Sequence, residues 1–239
     1  MTGRDGAGAA YGAWDGEVSH DSGVTRLREV VSAEDREEVE AVVGQYLHID
    51  RAVDYATRQL GRQPEPGRVD RRDARTYLID DPGSRAEDAI TVQQTMDGGY
   101  DLEMHIIDIP FLLEPGGYVD RHAAARGRTV YSDDGVHPLF PGELRDGPFC
   151  FRAGADRPAN TVRFRFDSAV DLVDVSVYRS AVQPDTRLSF DEAADLLHRS
   201  KTDVGRGEAD CITDLEHLKV ATLSLVDELP WEPESPWSM

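Results

Sequence analysis

The run Tyr77-Leu78-Ile79-Asp80-Asp81-Pro82-Gly83-Ser84-Arg85-Ala86-Glu87-Asp88-Ala89-Ile90-Thr91-Val92 decides how this chain is read. It sets an acidic loop, with four carboxylates in nine residues, between two short apolar runs. Pro82-Gly83 marks a turn, and the β-branched and aromatic residues on either side favour strands. Carboxylates gathered in this way can hold a hard cation or move protons. Aspartate is also a common turn former, so Asp81 reads equally well as a turn residue.

Working outward, Asp97-Gly98-Gly99 is a hairpin signal, and Tyr100, Leu102, Met104 and Ile106 then alternate with Asp101, Glu103 and His105. His105 is therefore expected on the face opposite the apolar set. Asp108 either orients it or ends the strand. A short helix is expected from Asp120 to Arg128, followed by a Pro/Gly-rich connector from Gly135 to Pro148. Val162, Phe164 and Phe166 alternate with Arg163 and Arg165, and Val173, Val175 and Val177 alternate again, giving a hairpin whose arginines read as a solvated face. Ser189-Phe190-Asp191-Glu192 is a capping box, and Thr213-Asp214-Leu215-Glu216 reads as a second one opening a helix to about Leu229.

Upstream, Val39, Val42, Val43, Tyr46 and Val53 recur near helical spacing as far as Leu60, where Gly61, Pro64 and Pro66 stop the pattern. The organisation expected is a disordered N-terminus over 1–23, a helical arm over 24–66, a main domain over 67–230 and a tail over 231–239. The fold class is α+β, a mixed and largely antiparallel sheet flanked by helices, with the N-terminal helical arm.

Charge and composition narrow the function. The chain carries 26 basic and 46 acidic residues, a formal net charge of −20. Nucleic-acid affinity rests on Lys/Arg neutralising phosphates, so this balance opposes an RNA or DNA partner. The run Arg68-Val69-Asp70-Arg71-Arg72-Asp73-Ala74-Arg75 is interrupted by acids and is weak as an RNA patch. No apolar run reaches membrane-spanning length and no secretory signal is visible in the first residues, so the expectation is a cytoplasmic protein with no membrane partner. Cys150 and Cys211 have no zinc spacing and read as small core residues.

Taken in order, several pieces resemble one family. Ile79-Asp80-Asp81-Pro82 with Glu87-Asp88-Ala89, then Tyr100-x-Leu102-x-x-His105-Ile106-x-Asp108, Pro115-Gly116, Asp120, Ala124, Arg126-Gly127-x-Thr129-Val130-Tyr131, Pro138-x-x-Pro141 and Arg187-Leu188-Ser189-Phe190-Asp191-Glu192 resemble the RNB domain, the catalytic domain of the ribonuclease II family of exoribonucleases. The resemblance covers about residues 68–199. It implies metal-dependent 3′-to-5′ hydrolysis of RNA, with aspartates holding magnesium.

The sequence departs from that pattern. The family places further aspartates six, eight and nine positions after the first. Counted from Asp80 these positions hold Ala86, Asp88 and Ala89, and counted from Asp81 they hold Glu87, Ala89 and Ile90. With a one-residue deletion, Asp80, Glu87 and Asp88 map onto three of the four. The chain also resembles a truncated domain, ending where the family's domain is about half complete, without the flanking RNA-binding barrels.

Three functions follow as expectations. The first is an acid/base enzyme on a small molecule, of isomerase, cyclase or dehydratase type, with Asp80, Glu87, Asp88 and His105 as catalytic residues in one cleft and no cofactor. The second is a non-catalytic interaction module, forming a homo-oligomer through the truncated face. The third is a surviving exoribonuclease, with Mg²⁺ held by Asp80 and Asp88. Tyr131 and Arg126 are further candidates for polar groups in the cleft.

Overall fold

The computed structural model describes residues 36–62, 66–132 and 135–228. The segments expected to form a disordered N-terminus and a tail lie outside the described residues. Helix α1 spans Arg36–Leu60; its residues up to Leu47 belong to a separate unit, and everything below concerns the unit that begins at His48.

The elements follow in chain order: β1 (Val69–Asp70), β2 (Thr76–Ile79), β3 (Asp88–Gln94), β4 (Tyr100–Ile107), α2 (Ile109–Leu112), α3 (Tyr118–Arg126), β5 (Val130–Ser132), β6 (Gly135–His137), α4 (Gly142–Arg145), β7 (Arg157–Phe166), β8 (Leu172–Val182), β9 (Thr186–Leu188), α5 (Phe190–Leu197) and α6 (Arg206–Glu228). One seven-stranded sheet runs β1-β8-β7-β4-β3-β2-β9. Its two outermost pairs, β1 with β8 and β2 with β9, are parallel and the rest are antiparallel. The mixed, largely antiparallel α+β fold is thus observed.

Local sequence explains the joints. Gly98 takes a left-handed φ of 85° in the β3–β4 turn, where a side chain would be strained. Gly127 takes the same conformation at the end of α3 and closes the helix through Ala123 O. Ser189 and Glu192 make both hydrogen bonds of the capping box at the start of α5.

Helix α6 begins at Arg206, two turns before the expected cap at Thr213. Asp214 therefore lies within the helix rather than at its start. Its carboxylate takes a two-point bond from Arg75 (2.8 and 2.9 Å) and a 2.7 Å bond from the Tyr77 hydroxyl. This pins α6 to β2, and burial, reinforced by the Asp214 charge, pushes the Tyr77 phenol well above its usual range.

The sheet has two unlike faces. On one, Val92, Leu102 and Phe166 pack beneath Ala221 of α6. On the other, Leu78, Ala89, Ile107, Ala159 and Val182 pack against Leu112, Leu144, Phe149 and Phe151 from the helices and connector. Leu78, Leu112 and Leu144 are fully buried, and burial of each such side chain stabilises the fold by about 1.5–3 kcal/mol. Cys150 and Cys211 are free and buried, as expected of core residues.

Candidate functional site

The acidic loop joins β2 to β3. Asp80 Oδ1 accepts the N–H of Asp81, and Asp81 O accepts the N–H and hydroxyl of Ser84, closing a turn over Gly83. Arg187, one strand away on β9, donates to Asp81 O, Ser84 O and Ser84 Oγ and pins the loop. Asp81, Glu87 and Asp88 are exposed.

The four expected catalytic residues do not share a cleft. Asp88 pairs with Ile106 and Ala89 pairs with His105 in the β3–β4 ladder, so Asp88 and His105 point to opposite faces. The ladder extends one residue beyond β3, with Ile107 N–H donating to Glu87 O. Glu87 and Asp88 are consecutive in extended chain and also diverge. The single-cleft expectation is therefore corrected by strand alternation.

Ala86 and Ala89 are each 1 % exposed and sit in the apolar cluster with Leu112, Phe149 and Phe151. These are the positions, counted from Asp80, where the resemblance implies aspartates. In that count two of the four implied ligand positions face hydrocarbon; with the one-residue deletion Glu87 and Asp88 take two of the positions, and both are exposed. Among the described residues no group of three His, Cys, Asp or Glu side chains could hold a metal ion. The residues present do not fit a magnesium cradle.

His105 lies opposite the apolar set, as alternation requires, but it is wholly buried rather than in a cleft. It sits at the centre of a hydrogen-bond chain crossing five strands: Thr76 Oγ1 to Thr91 Oγ1 (2.7 Å), Thr91 Oγ1 to His105 Nε2 (3.0 Å), His105 Nδ1 to Thr161 Oγ1 (2.8 Å) and Thr161 Oγ1 to Ser180 Oγ (2.6 Å). Burial, reinforced by the nearby Arg71 charge, lowers its pKa to about 4, so the imidazole is neutral. Asp108 does not orient it. Instead Asp108 caps α2 at Phe111 N–H and forms a buried 2.5 Å ion pair with Arg68.

Tyr131 is exposed on the small β5–β6 ribbon, and Arg126 donates to Pro138 O. The arginines of the interrupted basic run each meet a carboxylate: Arg68 meets Asp108, Arg71 meets Glu103, Arg72 meets Asp70 and Asp156, and Arg75 meets Asp214. Arg163 and Arg165 are half-buried rather than fully solvated. Sequence reasoning missed Arg71, Glu103 and Tyr178, which line a cavity on the polar half of the sheet. The only trace in the sequence was the polar alternation of β4 and β8.

The sequence profile of the RNB domain matches residues 68–227. This chain belongs to the RNB domain family. Among curated RNB proteins it is 29 % identical over 136 residues to ribonuclease R of Chlamydia trachomatis, covering 56 % of this chain and 20 % of that protein. It is 30 % identical over 132 residues to the chloroplastic/mitochondrial ribonuclease II of Arabidopsis thaliana, covering 55 % of this chain and 16 % of that protein. The chain spans about a fifth of the length of the first of these relatives.

Solved RNB structures share the fold. Mycoplasma genitalium RNase R in complex with ribose-methylated single-stranded RNA matches with a TM-score of 0.60 at 17 % identity, over 69 % of this chain and 25 % of that one. Yeast Ssd1, described as a pseudonuclease, matches with a TM-score of 0.58 at 21 % identity, over 70 % of this chain and 20 % of that one. No described helix of this RNB chain is long and apolar enough to cross a membrane.

Proposed function

We propose that this chain is a non-catalytic RNB-fold interaction module. The observation carrying this is that among the described residues no three His, Cys, Asp or Glu side chains gather to hold a metal ion, while Glu87 and Asp88 diverge along extended chain. Ala86 and Ala89, implied positions in the count from Asp80, are buried in the apolar core, where a carboxylate would place charge in hydrocarbon. Proton transfer by Asp80, Glu87, Asp88 and His105 together loses its support for a different reason, since Asp88 and His105 face away from each other. The pseudonuclease description of yeast Ssd1 is consistent with an RNB fold used without cleavage.

The partner we infer is a second copy of this chain, meeting it at β8. Strand β1 pairs with β8 only at Ser180 and Ala181, so among the described residues the outer edge from Leu172 to Arg179 carries no strand. Val173, Val175 and Val177 alternate along that edge and are exposed, Val177 by 71 %. An open edge with an apolar face is a template for strand addition. The valine row itself bears no charge, which limits the repulsion two acidic copies would otherwise feel where they meet.

The test is a metal-replete assay on end-labelled single-stranded RNA, run beside sedimentation of the same sample. Intact RNA and a dimeric mass are expected; magnesium-dependent shortening abolished by Asp88→Asn would overturn the non-catalytic reading. Binding of RNA without cleavage is a second reading, favoured by the RNA complex of the M. genitalium neighbour. Filter retention of labelled RNA by the intact protein separates it from the first.

A further inference from the structure

The polar half of the sheet carries a half-open cavity of about 330 Å³. Arg71, Glu103, Arg163, Ser176 and Tyr178 line it, with Gln93 and Asp101 at its margin. Cross-strand register builds the wall: Thr91, Glu103, Arg163 and Ser176 pair in one row across β3, β4, β7 and β8, and His105 with Thr161 and Tyr178 form the next. The floor of the cavity therefore rests on four hydrogen-bonded strands, and Arg71, in the segment just after β1, stands at its side.

Its hydrogen-bonding capacity is lopsided. Glu103, with a side chain 4 % exposed, accepts from Arg71 Nε at 2.8 Å and is bonded to Tyr178. Burial, reinforced by that carboxylate, holds the Tyr178 phenol protonated. The other lining carboxylate, Asp101, faces Arg165 at 3.7 Å. Glu103 is thus engaged, whereas the buried Asp101 Oδ1 has no hydrogen-bond partner among the described residues. Arg71 is not saturated: it commits Nε to Glu103, and among the described residues no acceptor meets its Nη1 and Nη2. Arg163 commits Nη2 to Asp174 at 3.3 Å. What is left open is one acceptor, Asp101 Oδ1, against several donors, the Nη1/Nη2 edge of Arg71 and the buried Nε of Arg163.

We propose that this cavity binds a small organic monocarboxylate, gripped by the fork of Arg71. The paired Nη donors match the two oxygens of a planar carboxylate. The formal charges of Arg71, Arg163, Glu103 and Asp101 cancel, which favours a monoanion over a multiply charged phosphate ester. The Ser176 hydroxyl and Gln93 amide supply bonds for a polar group beside the carboxylate. The volume is at the small end of ligand cavities, which restricts the ligand to metabolite size. The site is separate from the acidic loop, and its Ser176 and Tyr178 lie on the face of β8 opposite Val173, Val175 and Val177; its test reads ligand binding rather than oligomeric mass or RNA cleavage, so the two can fail separately.

The experiment titrates the intact protein with sodium pyruvate and, separately, with inorganic phosphate at constant ionic strength. Binding is followed by calorimetry and by the arginine Nε–H resonances. Saturable binding of pyruvate with a shift of the Arg71 signal is expected. Arg71→Lys keeps the charge beside Glu103 but loses the fork, and weakens pyruvate binding by about tenfold or more. Ser176→Leu fills the half-buried cavity without touching the Arg71–Glu103 pair, and abolishes binding while thermal unfolding stays cooperative. Absence of saturation, an equal response to phosphate, or undiminished pyruvate binding in folded Ser176→Leu would each overturn the proposal.

Discussion

Asp88 and His105 stand on opposite faces of one antiparallel ladder, because Asp88 pairs with Ile106 while Ala89 pairs with His105. A single step along a strand reverses the side chain, so residues close in sequence are held apart by the sheet.

The first prediction concerns Ala86, an implied ligand position in the count from Asp80. Ala86→Asp buries a carboxylate beside Leu112 and Phe151 and lowers unfolding stability by more than about 2 kcal/mol. Added Mg²⁺ does not recover the loss. Urea unfolding with and without magnesium checks this, and full recovery by the ion would show that a cradle forms there after all.

His105 makes the fold sensitive to acid. Its folded pKa of about 4 lies below the usual 6.5, so the unfolded chain binds the proton more tightly between those values. The contribution of the neutral imidazole is complete above pH 6.5 and declines as pH falls towards 4, by up to about 1.4 kcal/mol per pH unit. His105→Gln is less stable at neutral pH yet has a flatter profile across this window. Parallel pH profiles for the two proteins would count against the assignment.

Asp214 ties helix α6 to the sheet through Arg75 and Tyr77. Asp214→Asn keeps the shape but weakens both bonds, and costs about 1–3 kcal/mol. The figure stays modest because Arg75 is half exposed and regains water. An unchanged urea midpoint would remove α6 docking from the forces holding β2.

At the β8 edge, Val177→Lys replaces an exposed apolar side chain and changes intramolecular stability little. Sedimentation should report a lighter species than wild type at equal concentration, since a lysine at a strand edge discourages pairing. Identical masses for the two proteins would argue that copies do not meet there.

Much of the sheet was legible because hydrophobic alternation and turn residues are local signals. Tyr100 to Ile106, the Asp97-Gly98-Gly99 turn and the Ser189 capping box all appear where the sequence places them. The site was less legible because it depends on distant register. Glu103 reads as one of three polar alternants in β4, and nothing nearby tells that Arg71 and Tyr178 will meet it. The start of α6 was misjudged because Thr213-Asp214-Leu215-Glu216 has the letters of a cap, while its aspartate is used sideways by Arg75.

Strand β2 lies between a neighbour that follows it closely and another that comes much later. Thr76 pairs with Thr91 in β3, but its N–H is completed by Asp185, 109 residues on. At ordinary synthesis rates that gap lasts on the order of ten seconds. Through that interval one edge of Thr76-Tyr77-Leu78-Ile79 is without its partner, and the chain has to avoid mispairing on the ribosome until β9 arrives.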